Sequence, residues 1–179
     1  MKYRMLDKII KLSLSAPEIS AIGVKNISYE EYDINMDGKK GGGLESRGFP
    51  FLLVLESFSQ LIQIVINKLT EFKYASILTA IEEAKWEEGV SLLTGDRIEI
   101  SLEIVEFNLQ QKNFKAKGHG VIRRNHSGHG KYSGKELKLF SIQSAEGILS
   151  ELEYFFDCTD RKLFFDNILS IDGNVAKYF

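Results

Sequence analysis

Hydrophobic and polar positions change period several times along the chain, and each change marks an element. Residues 8–14 (KIIKLSL) read as a short strand or helix, ended by Pro17. Residues 20–29 (SAIGVKNISY) read as a strand. Residues 33–48, polar and containing GKKGGG, read as a loop. Leu52, Leu55, Ser59, Ile62 and Ile66 then recur at helical spacing, and Phe58, Val65 and Leu69 widen that stripe. A helix apolar on most sides is expected to be wrapped by other elements. Residues 75–88 (ASILTAIEEAKWEE) admit either strand or helix, because Ala and Glu also favour helix.

Thr94-Gly95-Asp96 marks a turn. Residues 97–104 alternate after it, with Ile98, Ile100, Leu102 and Ile104 on one face and Arg97, Glu99, Ser101 and Glu103 on the other. That is a strand with one wet face. Residues 113–124 form the next strand, 125–135 a loop and 146–157 a further strand. Thr159-Asp160 could cap a short helix over 161–169. A strand, a long buried helix and then several antiparallel strands make an α+β architecture, a sheet wrapped round one helix.

Composition narrows the classes. The 179 residues suit one domain, large enough to bury roughly two-thirds of its unfolded surface. Hydrophobic residues at 44% and charged residues at 27% exclude disorder over the whole chain. Twenty-three Lys and Arg against 25 Asp and Glu give a net charge of -2, which argues against a dedicated nucleic-acid binder. A single cysteine, Cys158, excludes an internal disulfide and a Cys-based zinc cluster. No secretory signal is visible, so a reducing cytoplasm is expected. The apolar run 49–69 is interrupted by Glu56, Ser57, Ser59, Gln60 and Gln63, and reads as a core helix, not a membrane span.

The stretch FPFLLVLESFSQ (49–60) resembles the motif that opens the central helix of hotdog-fold 3-hydroxyacyl-(acyl carrier protein) dehydratases. That pattern is Phe-Pro-Gly-Val-Leu, two residues, Glu, three residues, Gln. Phe49, Pro50, Leu53, Glu56 and Gln60 match in place. AIGVKNIS (21–28), AIEEAKWEEGV with LTGDRIEISLEI (80–104) and EGILSELEYFF (146–156) are similar to the family's flanking strands, in the same order.

The resemblance implies a hotdog fold, a curved antiparallel sheet wrapped round one long helix and usually dimeric. The domain would span residues 1–157, with a basic insertion at about 125–145, and 158–179 would be an extension. It implies acyl thioesters on acyl carrier protein as substrate, and no cofactor. It places Glu56 and Gln60 at the catalytic site and Phe49, Pro50 and Phe51 against the substrate, beside a helix N-terminus that offers N–H donors.

The chemistry would need a base near neutrality and an acid to protonate the departing hydroxide. Glu56, between Leu55 and Phe58, is expected to be desolvated, which would fit it as the acid. The family's His falls at Gly42, and the three histidines of this chain are His119, His126 and His129. The base would therefore come from a His-bearing hotdog partner in a heterodimer, or be absent. Phe51 stands where the family has Gly, close to the expected oxyanion donor.

Three function readings follow. The first is a dehydratase-like protein of fatty-acid or polyketide-type biosynthesis. The alternative is a non-catalytic subunit that binds acyl carrier protein or lipid. The third is a hotdog acyl thioesterase in which Glu56 activates water. The competing reading makes Glu56 a carboxyl held by N–H groups and Gln60 a packed amide. Arg123, Arg124 and Lys131, with Lys135 and Lys138, form a basic cluster that would attract an acidic acyl carrier protein, or a solvated hairpin. His126 and His129 read as loop residues, not metal ligands, and His119 as a surface residue. Trp86 reads as core or tunnel wall.

Overall fold

The computed structural model describes residues 6–28, 51–90, 92–93, 95–124 and 136–151. Strands β1 (Lys8–Ser15) and β2 (Glu18–Asn26) form a hairpin, and helix α1 (Phe51–Leu69) follows. Four strands follow among the described residues: β3 (Tyr74–Trp86), β4 (Arg97–Asn108), β5 (Asn113–Arg123) and β6 (Glu136–Glu151). They form one antiparallel sheet in the order β1-β2-β4-β5-β6-β3.

Two ambiguities of the sequence are resolved by pairing. The segment 75–88 is strand, since β3 pairs with β6 from Tyr74 opposite Glu151 to Trp86 opposite Phe140. Cross-strand packing outweighs the helix preference of its Ala and Glu residues. Strand β6 starts at Glu136, ten residues before the expected 146. Residues 136–145 are therefore sheet. Their inward positions include Phe140, Ile142 and Ala145, all buried. The proposed helix 161–169 and the loop 125–135 lie outside the described residues.

The alternation in β4 is realised as expected: Ile98, Ile100, Leu102 and Ile104 are buried and face α1. From the helix, Val54, Phe58, Leu61, Ile62, Val65 and Ile66 meet them. Close approach depends on two glycines of β5. A Cβ on Gly118 would stand 2.5 Å from Phe58 Cε2, and one on Gly120 would overlap the Phe140 ring. The rings occupy the space that side chains at 118 and 120 would need. Phe58 meets Phe140 edge-on at 6.4 Å, and Trp86 stacks on the far side of Phe140 at 6.3 Å with planes 7° apart. Trp86 thus belongs to the core wall.

The end of α1 is closed without glycine. Thr70 Oγ1 donates to the Ile66 carbonyl at 2.8 Å, and the Phe72 amide donates to the Asn67 carbonyl at 2.7 Å. Glu71 and Phe72 adopt φ of 49° and 64°. A side chain in this region is strained by about 1 kcal/mol or more relative to glycine. Glu71 is exposed, whereas Phe72 packs against the core. Glu71→Gly should therefore raise the unfolding free energy by roughly 0.5–1 kcal/mol, read as a higher denaturation midpoint at unchanged slope.

The turn before β4 is pinned from three directions. Asp96, 2% exposed, accepts a hydrogen bond from the Leu93 amide at 2.8 Å. Its two carboxylate oxygens accept Arg124 Nε and Nη2, each at 2.8 Å. Its carbonyl accepts the Ile27 amide at 2.8 Å, which fastens the same turn to the end of β2. Among the described residues, no helix is long and apolar enough to cross a membrane.

Candidate functional site

Helix α1 carries a polar stripe along a largely apolar surface. Glu56, Gln60, Gln63 and Asn67 follow one another at intervals of three or four residues, so they share a side. Glu56 is exposed, and the other three are half-buried. Asn67 Oδ1 is buried without a hydrogen-bond partner. Glu56 and Gln60 thus lie one turn apart on the same side, as their sequence spacing predicts. The desolvation expected for Glu56 is not supplied by the described residues. Phe58, two positions on, points to the opposite side and is fully buried under the sheet, while Leu55 is only half-buried. Sequence neighbours on a helix face different ways, and only one of these could have shielded the carboxylate.

The helix begins at Phe51, and its first turn carries no acidic residue. No acidic side chain of that first turn offsets the partial positive charge of the helix start. Phe49, Pro50 and Gly42 lie outside the described residues, as do Lys131, His126 and His129.

The expected basic docking surface is compensated by acids. Arg123 Nε lies 2.9 Å from Glu99 Oε2 and its Nη2 lies 3.2 Å from Glu136 Oε2. Arg124 grips Asp96, and Lys138 Nζ lies 3.3 Å from Glu87 Oε1. The Arg123 guanidinium is held above its ordinary pKa first by its hydrogen bond to Glu99 and then by that residue's charge. Arg124 is raised likewise by its hydrogen bond to Asp96. The cations cluster in sequence, but cross-strand neighbours bring a carboxylate to each of these three. Arg123 and Arg124 thus each pair with carboxylates distant in the sequence.

A concavity of about 430 Å³ lies on the sheet face turned away from α1. Ser101, His119 and Ser141 stand side by side in its floor, paired across β4, β5 and β6. His119 is a surface residue, as its parity with Lys115 and Lys117 predicts. The row itself was not foreseen. The wet-face parity of 97–104 and 113–124 contained the signal, but the strand register was needed to align it.

No family model matches the sequence, and no curated protein matches it. Solved structures do. A hot-dog-like protein from Thermanaerovibrio acidaminovorans is 12% identical with a TM-score of 0.53, over 84% of this chain and 92% of that one. The fluoroacetyl-CoA thioesterase FlK is 10% identical with a TM-score of 0.55, over 87% of this chain and 96% of that one. A thioesterase family protein from Silicibacter pomeroyi is 10% identical with a TM-score of 0.55, over 81% and 85%.

The fold is the hotdog fold, a curved antiparallel sheet around one long helix. The dehydratase expectation is overturned: the similar structures that name an activity name thioesterases. The similar structures support the fold that the motif at 49–60 implied, and they do not bear out its lyase and fatty-acid-biosynthesis readings.

Proposed function

We propose that the chain is a hotdog acyl thioesterase, acting on acyl-CoA or a related acyl thioester. The observation that carries this reading is the exposed carboxylate of Glu56 on the polar stripe of α1, little more than a turn from the helix N-terminus. Two of the similar folds, named as thioesterases, support it.

The chemistry suits a site without a histidine. Dehydration must expel hydroxide and so requires a strong acid partner. Hydrolysis of a thioester expels a thiolate, whose conjugate acid has a pKa of about 8.5 by analogy with cysteine. Glu56 takes a proton from water as the oxygen attacks the carbonyl carbon. N–H groups at the start of α1 stabilise the oxyanion. The C–S bond then breaks, and the proton passes to the leaving sulfur. Gln60, one turn along, orients the water or the thioester.

A second copy of the chain fits the free edge of β3. This 13-residue strand pairs only with β6 among the described residues, and it exposes Ile77 beside exposed Ile148. Such an edge is a template for strand addition. A copy seated there would extend the sheet and shield the adjoining helix, supplying the desolvation that the described residues lack.

The test is thiol release from an acyl-CoA series by the purified protein. Glu56→Gln should lower kcat at least about 100-fold with the fold unchanged, the loss expected of a positioned general base. Equal rates in both proteins would remove Glu56 from the mechanism. Binding of acyl-CoA without release of thiol would favour a non-catalytic acyl-binding subunit.

A further inference from the structure

We propose that the concavity on the sheet face opposite α1 binds a small hydroxylated metabolite that carries a phosphate group. This site is separate from the proposed hydrolytic one, since the whole sheet lies between them. Its floor is a register row: Lys11 opposite Ile22 on β1 and β2, Ile22 opposite Ser101, Ser101 opposite His119, His119 opposite Ser141. All five line a space of about 430 Å³, within the range of small-molecule sites.

The row is polar and its hydrogen-bonding capacity is unused. The side chains of Ser101, His119 and Ser141 make no hydrogen bond with any described residue, and Ser141 is only 6% exposed. Hydroxyls and an imidazole N–H in a line offer donors to the oxygens of one tetrahedral anion.

Charge points the same way. Lys11, Lys117 and Lys138 line the space against Glu18 and Glu103. Lys11 has no ion pair among the described residues. Lys117 pairs with Glu103 at 3.1 Å and Lys138 with Glu87 at 3.3 Å, both pairs largely exposed. Such surface pairs are worth about 0–1 kcal/mol, so an anion can recruit both lysines at small cost. Glu18, Glu103 and Gln143 provide acceptors for ligand hydroxyls beside the anion subsite. Ile22 provides an apolar floor.

The experiment is calorimetric titration of the full chain with glucose 6-phosphate, inorganic phosphate, glucose and acetate at constant ionic strength. The His119 imidazole is followed by NMR and assigned with His119→Gln. Saturable binding of glucose 6-phosphate, competition by inorganic phosphate and a shift of the His119 signal are expected. His119→Gln and Lys117→Met, both at exposed positions, should each weaken binding about 10-fold or more, the effect of losing a hydrogen bond or charge contact to an ionised group. No saturation in the millimolar range would overturn the proposal. So would undiminished binding by His119→Gln, or acetate or glucose binding as well as the phosphate ester.

Discussion

An Arg124→Met protein should unfold with about 3–5 kcal/mol less free energy than the parent, the cost of stripping one partner from a buried ion pair. Asp96 is 2% exposed and accepts two hydrogen bonds from the guanidinium and one from the Leu93 amide. Methionine keeps much of the apolar stem but none of the donors. The carboxylate would then remain buried with a single backbone N–H. The asymmetry of the pair sharpens the test. The Arg124 side chain is 27% exposed and can turn to water, so Asp96→Asn should cost clearly less than Arg124→Met. Equilibrium unfolding in urea reads both. A loss below about 1 kcal/mol for Arg124→Met would mean that the pair barely offsets its own desolvation.

Phe58→Ala should cost a similar amount, about 3–5 kcal/mol, because the ring is fully buried and its removal leaves a cavity between helix and sheet. The reciprocal change, Gly118→Ala, forces a methyl against the Phe58 ring and against the Ser101 carbonyl. Overpacking of this kind costs about 1–3 kcal/mol. The two sites touch, so their effects should not add. In the Phe58→Ala background, Gly118→Ala should cost less than it does alone. It should not become free, because the Ser101 carbonyl belongs to the adjacent strand and stays in place. Strict additivity in the double-mutant cycle would show that the ring does not rest on the glycine.

The sequence was most readable where one period governed many residues. Ile98 to Ile104 announced both a strand and its buried face, and the stripe through Phe58, Ile62 and Val65 announced the helix. It was least readable where a partner distant in the chain decided the matter. The segment 75–88 is balanced between helix and strand until β6, some sixty residues later, pairs with it. The turn at Thr94-Gly95-Asp96 was evident, but Arg124 as the partner of Asp96 was not, because 28 residues separate them. Arg123, Arg124 and Lys138 looked like a basic patch when counted along the chain. Glu99, Asp96 and Glu87 reach them only across strands. Glu56 stands out in the sequence as a charge on an apolar helix, yet its exposure does not, because Phe58 points to the opposite side. Of the candidate site, the helix stripe was legible, while the Ser101–His119–Ser141 row existed only once the register was known.

The position of β6 has a consequence for how the chain is made. Strand β3 emerges early, yet its partner is the last described strand, which enters between β5 and β3. Until residue 151 has left the ribosome, the sheet lacks its penultimate member and β3 has no neighbour within the described chain. Ile77, Leu78 and Ile81 must wait through the synthesis of about seventy further residues. Nascent or truncated chains that end before Glu136 therefore present a long unpaired strand to the cell. For this topology the hazard of misassociation falls on the growing polypeptide, and the arrival of β6 ends it.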